Sequence, residues 1–131
     1  MYAVRYYSRS GNTKILAEAI ARAVGTEAVS VDAGNASITE PVDVLFVGGA
    51  LYAYGLDKHL KSWLSGLDGA KVKKAVVFST SWISKHSLDL IRVALQAKGI
   101  DVASESIYAK NKPTAENLKA AEALLAHFIM I

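Results

Sequence analysis

At 131 residues the chain has the length of one domain, and 52% hydrophobic with 21% charged residues suits a folded core under a polar surface, which excludes disordered and fibrous classes. The net charge of +3 is mildly basic, but Lys and Arg are spread out apart from Lys71, Lys73 and Lys74, and no aromatic–basic signature of RNA binding is present. With no cysteine there is no disulfide, iron–sulfur ligation or thiol nucleophile, and His59, His86 and His127 lack metal-ligand spacing and read as surface or helix-flank residues, so no metal site is expected. No apolar run is long enough to span a bilayer, and the first residues, with Arg5 inside a short apolar run, lack the form of a signal peptide. A cytoplasmic location without membrane or nucleic-acid partners is the expectation.

Tyr2 to Tyr7 is β-branched and aromatic and reads as a first strand that stops at Ser8. From about Thr13 the apolar residues Ile15, Leu16, Ala19, Ile20, Ala23 and Val24 recur at helical spacing, with Gly25 as the stop. Glu27 to Val31 reads as a short second strand and Asp32 to Pro41 as a loop. Val42 to Gly49 has the continuous hydrophobicity of a central parallel strand. A loop from Ala50 to Gly55 precedes a helix over about Asp57 to Leu67, whose Leu60, Trp63, Leu64 and Leu67 fall on one face and are expected in the core. Lys74 to Thr80 is a fourth buried strand, opening into Ser81-Trp82-Ile83-Ser84-Lys85. A helix over about Leu88 to Lys98, with Gly99 as its stop, a fifth strand over Val102 to Tyr108, and a final helix capped by Thr114 complete the chain. That last helix has Leu118, Ala121, Leu125 and Phe128 as its buried stripe.

Alternating strands and helices with buried central strands require a parallel sheet covered on both faces, an α/β fold of one domain over residues 1–131. With sheet order 2-1-3-4-5 the switch point lies between the first and third strands, where such sheets bind ligands beyond the carboxyl ends of their strands.

The hexapeptide Ser8-Arg9-Ser10-Gly11-Asn12-Thr13 sits at that place, where a strand hands over to a helix. Amides at a helix start have no intrahelical partner and the dipole favours an anion; Gly11 permits a tight turn, and Ser8, Ser10 and Thr13 each carry a hydroxyl. The segment reads as a phosphate cradle, although the same residue types also serve plain helix capping. Walker and G-x-G-x-x-G spacings are both absent. Tyrosines after the third strand and Ser79-Thr80-Ser81-Trp82 after the fourth provide flat side chains and polar groups, which suit a phosphorylated aromatic ligand.

The hexapeptide resembles the [Thr/Ser]-x-[Thr/Ser]-G-x-Thr phosphate loop of flavodoxins, and the likeness runs over the whole chain: loop spacing, the Tyr52-Ala53-Tyr54-Gly55 turn and a five-strand length without an insertion all look like the short-chain form. The resemblance implies a flavodoxin-like three-layer α/β/α sandwich with FMN as cofactor. Ser8, Arg9, Ser10, Gly11, Asn12 and Thr13 would surround the phosphate, with Asn12 shaping the turn and Arg9 either a ligand or a solvated loop residue. Leu51, Tyr52, Ala53, Tyr54 and Gly55 would form the second loop, with Tyr52 on the isoalloxazine. In that family the second loop reorients toward flavin N5 on reduction, a change assigned here to Ala53 to Gly55. Ser79, Thr80, Ser81 and Trp82 would line the remaining edge, Trp82 alternatively packing against Tyr108 or a helix start.

Many flavodoxins are acidic around the flavin; Arg9, Lys58 and Lys85 lie here instead, which predicts a less negative hydroquinone couple and puts docking to basic partners in doubt. The implied function is an electron carrier without catalytic residues, passing electrons through flavin semiquinone and hydroquinone to transient redox partner proteins, as a monomer or weak dimer. The alternatives are a small FMN-dependent NAD(P)H quinone or nitro reductase and a flavin-free binder of another phosphate ligand. A receiver domain is excluded, because the first and third strands end Tyr7-Ser8 and Val47-Gly48-Gly49 without the acidic residues it needs.

Overall fold

The computed structural model describes residues 1–52, 55–80, 86–109 and 112–129, with residues 51, 52 and 127–129 described by their backbone only. In chain order the elements are β1 (Tyr2–Tyr6), α1 (Asn12–Val24), β2 (Ala28–Ser30), β3 (Val42–Gly48), β4 (Leu51–Tyr52), β5 (Gly55–Leu56), α2 (Lys58–Gly66), a 3₁₀ turn (Gly69–Lys71), β6 (Val72–Ser79), α3 (His86–Gln96), β7 (Asp101–Tyr108) and α4 (Ala115–Ile129). The main sheet is five-stranded and wholly parallel in the order β2-β1-β3-β6-β7, which is 2-1-3-4-5 among its own strands.

The sheet is buried on both faces, which is why β3 and β6 read as unbroken apolar runs. On one face Leu45, Val47, Ala75 and Val77 pack with Leu60 and Leu64 of α2 and Ile91 and Leu95 of α3. On the other, Val4, Phe46, Val76 and Phe78 pack with Leu16 and Ile20 of α1 and Ala121 and Leu125 of α4. These are the expected three layers. Helix ends follow their signals: Gly25 and Gly99 adopt positive φ of 78° each, the conformation that favours glycine at a helix stop. Thr114 Oγ1 accepts from the Asn117 amide at 3.2 Å while Asn117 Oδ1 accepts from the Thr114 amide at 2.9 Å, a reciprocal cap on α4.

Two expectations change. Residues 50–56 contain a short antiparallel hairpin, Leu51 pairing with Leu56 and Tyr52 with Gly55. Trp63 is only half-buried: its indole N–H reaches the Ala36 carbonyl at 3.1 Å, so it seals the boundary between α2 and the 32–41 loop while its ring packs on the core. The Phe128 side chain lies outside the described residues. Among the described residues, no helix is long and apolar enough to cross a membrane.

Candidate functional site

The carboxyl ends of β1, β3 and β6 lie side by side, Tyr6 opposite Gly48 and Gly48 opposite Phe78, so the loops that follow them share one edge of the sheet. Strand order reverses between β1 and β3, which opens the crevice there.

In the loop after β1, Ser8 Oγ accepts the Gly11 amide at 3.0 Å and Ser10 Oγ accepts the Asn12 amide at 3.4 Å, so each serine holds the turn while keeping its own hydroxyl proton to donate. Gly11 is the N-cap of α1 at φ +93° and, having no side chain, makes no capping bond of its own. A helix start of this kind carries a positive dipole end that suits an anion. Nothing lies within 4 Å of a Cβ built on Gly11, so Gly11→Ala tests the backbone alone: it is expected to lower stability by about 1 kcal/mol, read as a drop in the thermal midpoint. Thr13 is buried, and its hydroxyl is 2.6 Å from the Thr80 hydroxyl, tying α1 to the end of β6.

The hydroxyl of Ser79 is also buried and donates to the Gly49 carbonyl at 2.6 Å, with Ser87 Oγ at 2.5 Å. These contacts lock the ends of β3 and β6 to the start of α3. Ser79 and Thr80 thus sit at the expected edge, but their hydroxyls bind protein. Ser81, Trp82, Ala53 and Tyr54 lie outside the described residues, as does Lys85, while Leu51, Tyr52 and Gly55 form the hairpin beside the crevice.

Between the first two loops stands a cluster that periodicity and motif reading missed. Asp57, 3% exposed, caps α2 by accepting the His59 amide at 2.8 Å; the same oxygen is 2.8 Å from His59 Nδ1. Its other oxygen accepts from Arg9 Nε at 2.9 Å and Nη2 at 2.6 Å. The Tyr7 ring stacks on the His59 ring at 4.6 Å. Burial alone would raise the Asp57 carboxyl; hydrogen bonds from His59 and from Arg9, with the Arg9 charge, outweigh it and hold its pKa below the ordinary carboxylate value. An Asp just before a helix is a capping signal, but its pairing with a residue 48 positions away is not.

Arg9 is therefore anchored by a carboxylate. Its charge is offset at 2.6 Å, so the expected effect of basic residues on the hydroquinone couple rests, among the described residues, on Lys58. His59, a partly exposed residue at the start of α2 as expected, also forms part of this clasp between the β1–α1 loop and α2.

A flavodoxin from the domain Archaea superposes on this chain with a TM-score of 0.83 at 25% identity, covering 95% of this chain and 93% of its own. The chain has the flavodoxin fold. Flavodoxin 1 from Bacillus cereus matches at TM-score 0.79 and 21% identity, over 98% of this chain and 97% of its own. The flavodoxin fold here also matches rubredoxin oxygen:oxidoreductase from Desulfovibrio gigas, at TM-score 0.82 and 16% identity, over 95% of this chain but 34% of that protein. No protein-family model and no curated sequence relative matches.

Proposed function

We propose that the chain binds FMN and carries electrons between redox partner proteins. The observation that carries this reading is the β1–α1 loop: it offers hydroxyls and helix-start amides, contains no carboxylate, and lies at the switch point of a sheet that matches flavodoxins over nearly their whole length. The donor set suits a phosphate dianion. Asp57, the carboxylate that pairs with this loop, is turned onto Arg9 and His59.

The flavin supplies the redox chemistry, and the protein supplies binding, orientation and electrostatics. In this reading Ser8 and Ser10, held in place by the Gly11 and Asn12 amides, donate their hydroxyls to the phosphate together with the Thr13 amide, Asn12 shapes the turn, and Arg9 braces the loop through Asp57. Thr13 and Thr80 hold the cradle to β6 from within. Leu51 to Gly55, with Tyr52 foremost, cover the ring, and the segment Ser79 to Trp82 bounds its other edge. The protein works in the cytoplasm as a monomer or weak dimer.

A carrier is favoured over a reductase because the matching flavodoxins are of this chain's length, whereas the oxidoreductase match is to one third of a larger protein. The test is a visible-absorption titration with FMN and with riboflavin. FMN is expected to bind at least about 100-fold more tightly, because only FMN fills the anion site. Ser10→Ala should weaken FMN about 10-fold and leave riboflavin unchanged, the loss of one hydrogen bond to a charged group. Equal affinity for the two flavins, or for neither, would overturn the reading. Stepwise anaerobic reduction then separates a carrier, reduced in two single-electron steps, from a reductase taking up both electrons together.

A further inference from the structure

Helices α2 and α3 cover one face of the sheet and enclose between them a groove of about 370 Å³ that the FMN reading touches only at Gly55. Its apolar lining is Leu56, Leu64, Leu90 and Ala94, and Lys61 and Lys98 stand exposed on its rim. Beside it Val93, one turn of α3 from Leu90, is 63% exposed and extends the apolar stripe outward. Its upper end is Gly55 and Leu56, the strand β5 that pairs with Leu51 and Tyr52 of the loop assigned to the flavin ring.

The charge around the groove is predominantly positive. Within α2 and α3 the carboxylate is Asp89, against Lys58 and Lys61; of the flanking acids Asp57 is paired with Arg9 and Asp68 follows the far end of α2, while Lys98, just beyond α3, donates to the Ser65 carbonyl on the groove wall and Arg92 is turned away onto the Ala103 carbonyl. A concave apolar floor with a cationic rim fits an acidic partner that inserts an apolar side chain. A second copy of the chain would set the same lysines against each other across a two-fold interface. Redox encounters bury less than about 1,200 Å² and are steered by complementary charge, so such docking needs no extensive interface.

We propose that the α2–α3 groove is the docking surface for an acidic electron-transfer protein. The proposal rests on the carrier reading above, and it places the partner against the back of the hairpin next to the flavin. It also explains why a mildly basic chain departs from the acidic surround that the family resemblance implies: the partner carries the acidic half of the pair.

The test titrates the ¹⁵N-labelled FMN-loaded protein with an acidic [2Fe–2S] ferredoxin, with basic cytochrome c as the opposite-charge control. Amide perturbations are expected at Leu56, Lys61, Leu90, Val93 and Lys98, weakening as salt is raised, with none from cytochrome c. Lys61→Glu and Val93→Asp, both at exposed positions, should each weaken ferredoxin binding about 5- to 10-fold and leave the FMN spectrum unchanged. Perturbations on another face, none at all, unaffected binding in both variants, or self-association through the groove would overturn the proposal. Should the visible spectrum show no FMN uptake, the carrier reading falls by itself; the amide map, recorded on the flavin-free chain, still decides the docking face.

Discussion

Replacing Asp57 with Ala should cost about 2 kcal/mol of stability and lower the thermal midpoint by roughly 8 °C. The carboxylate caps α2 through the His59 amide, which is worth about 1 kcal/mol, and receives two hydrogen bonds from the Arg9 guanidinium, which as charge-assisted bonds contribute about as much again. The loss stays below the 3–5 kcal/mol typical of a broken buried ion pair, because the Arg9 side chain is 56% exposed and re-solvates when its partner is gone. At about 4 °C per kcal/mol for a domain of this size, the shift is readily measured.

The pH dependence of the same pair has a defined sign. The folded carboxyl has a pKa below its ordinary value, so its stabilisation is fully present above about pH 4, the unfolded value, and is lost as pH falls through the lower folded value. The gap in midpoint between the native chain and Asp57→Ala should accordingly narrow below about pH 4. A gap that stays constant down to pH 2 would show that Asp57 acts through packing and not through its charge. Because Arg9 belongs to the loop proposed to hold the phosphate, the variant should also bind FMN more weakly while its riboflavin affinity changes little.

The second large effect is expected at Gly48, the last residue of β3. A Cβ there would lie 2.1 Å from two ring carbons of Phe78, which is itself fully buried between the sheet and α1 and α4. Real side chains do not approach that closely, and Phe78 has no open space to move into, so Gly48→Ala should fall at the upper end of the cost of overpacking, about 3 kcal/mol. Urea unfolding should show a lower midpoint at unchanged slope. Adding Phe78→Leu to the same chain should restore part of the loss, since the smaller side chain vacates the contested space. If Gly48→Ala cost less than about 1 kcal/mol, the close fit of ring over backbone would not be what holds β3 against β6.

The fold was legible because its decisive features are local. Val44 to Gly48 and Ala75 to Ser79 are too short for buried helices and too apolar for edge strands, and Gly25 and Gly99 end their helices in the backbone conformation that glycine favours. The β1–α1 loop stood out for the same reason, its hydroxyls and glycine falling within six consecutive residues. What escaped were relations set by register. Arg9 and Asp57 meet only because β1 and β3 are neighbours and end level with one another, and sequence spacing carries no trace of that. The 51–56 hairpin has two residues in each strand, too few for alternation to show. Trp63 obeys the helical period of its buried neighbours, yet its N–H needs an acceptor, and the Ala36 carbonyl at the rim provides one.

The hydroxyl ties at the strand ends have a consequence for how such a protein is altered. Ser79 to Gly49 and Ser87, and Thr13 to Thr80, fasten the frame on both sides of the crevice, while Asp57 fixes the point where the chain re-enters that frame. The stretch from residue 50 to 56 is thus a cassette with two fixed sockets, joined to itself by one short ladder. Grafting a loop of different length or sequence between Gly49 and Asp57 alters what faces the ligand while the frame beneath stays as it is. Diversity in what such a scaffold presents at this edge has a natural place to accumulate there, at little expense to folding.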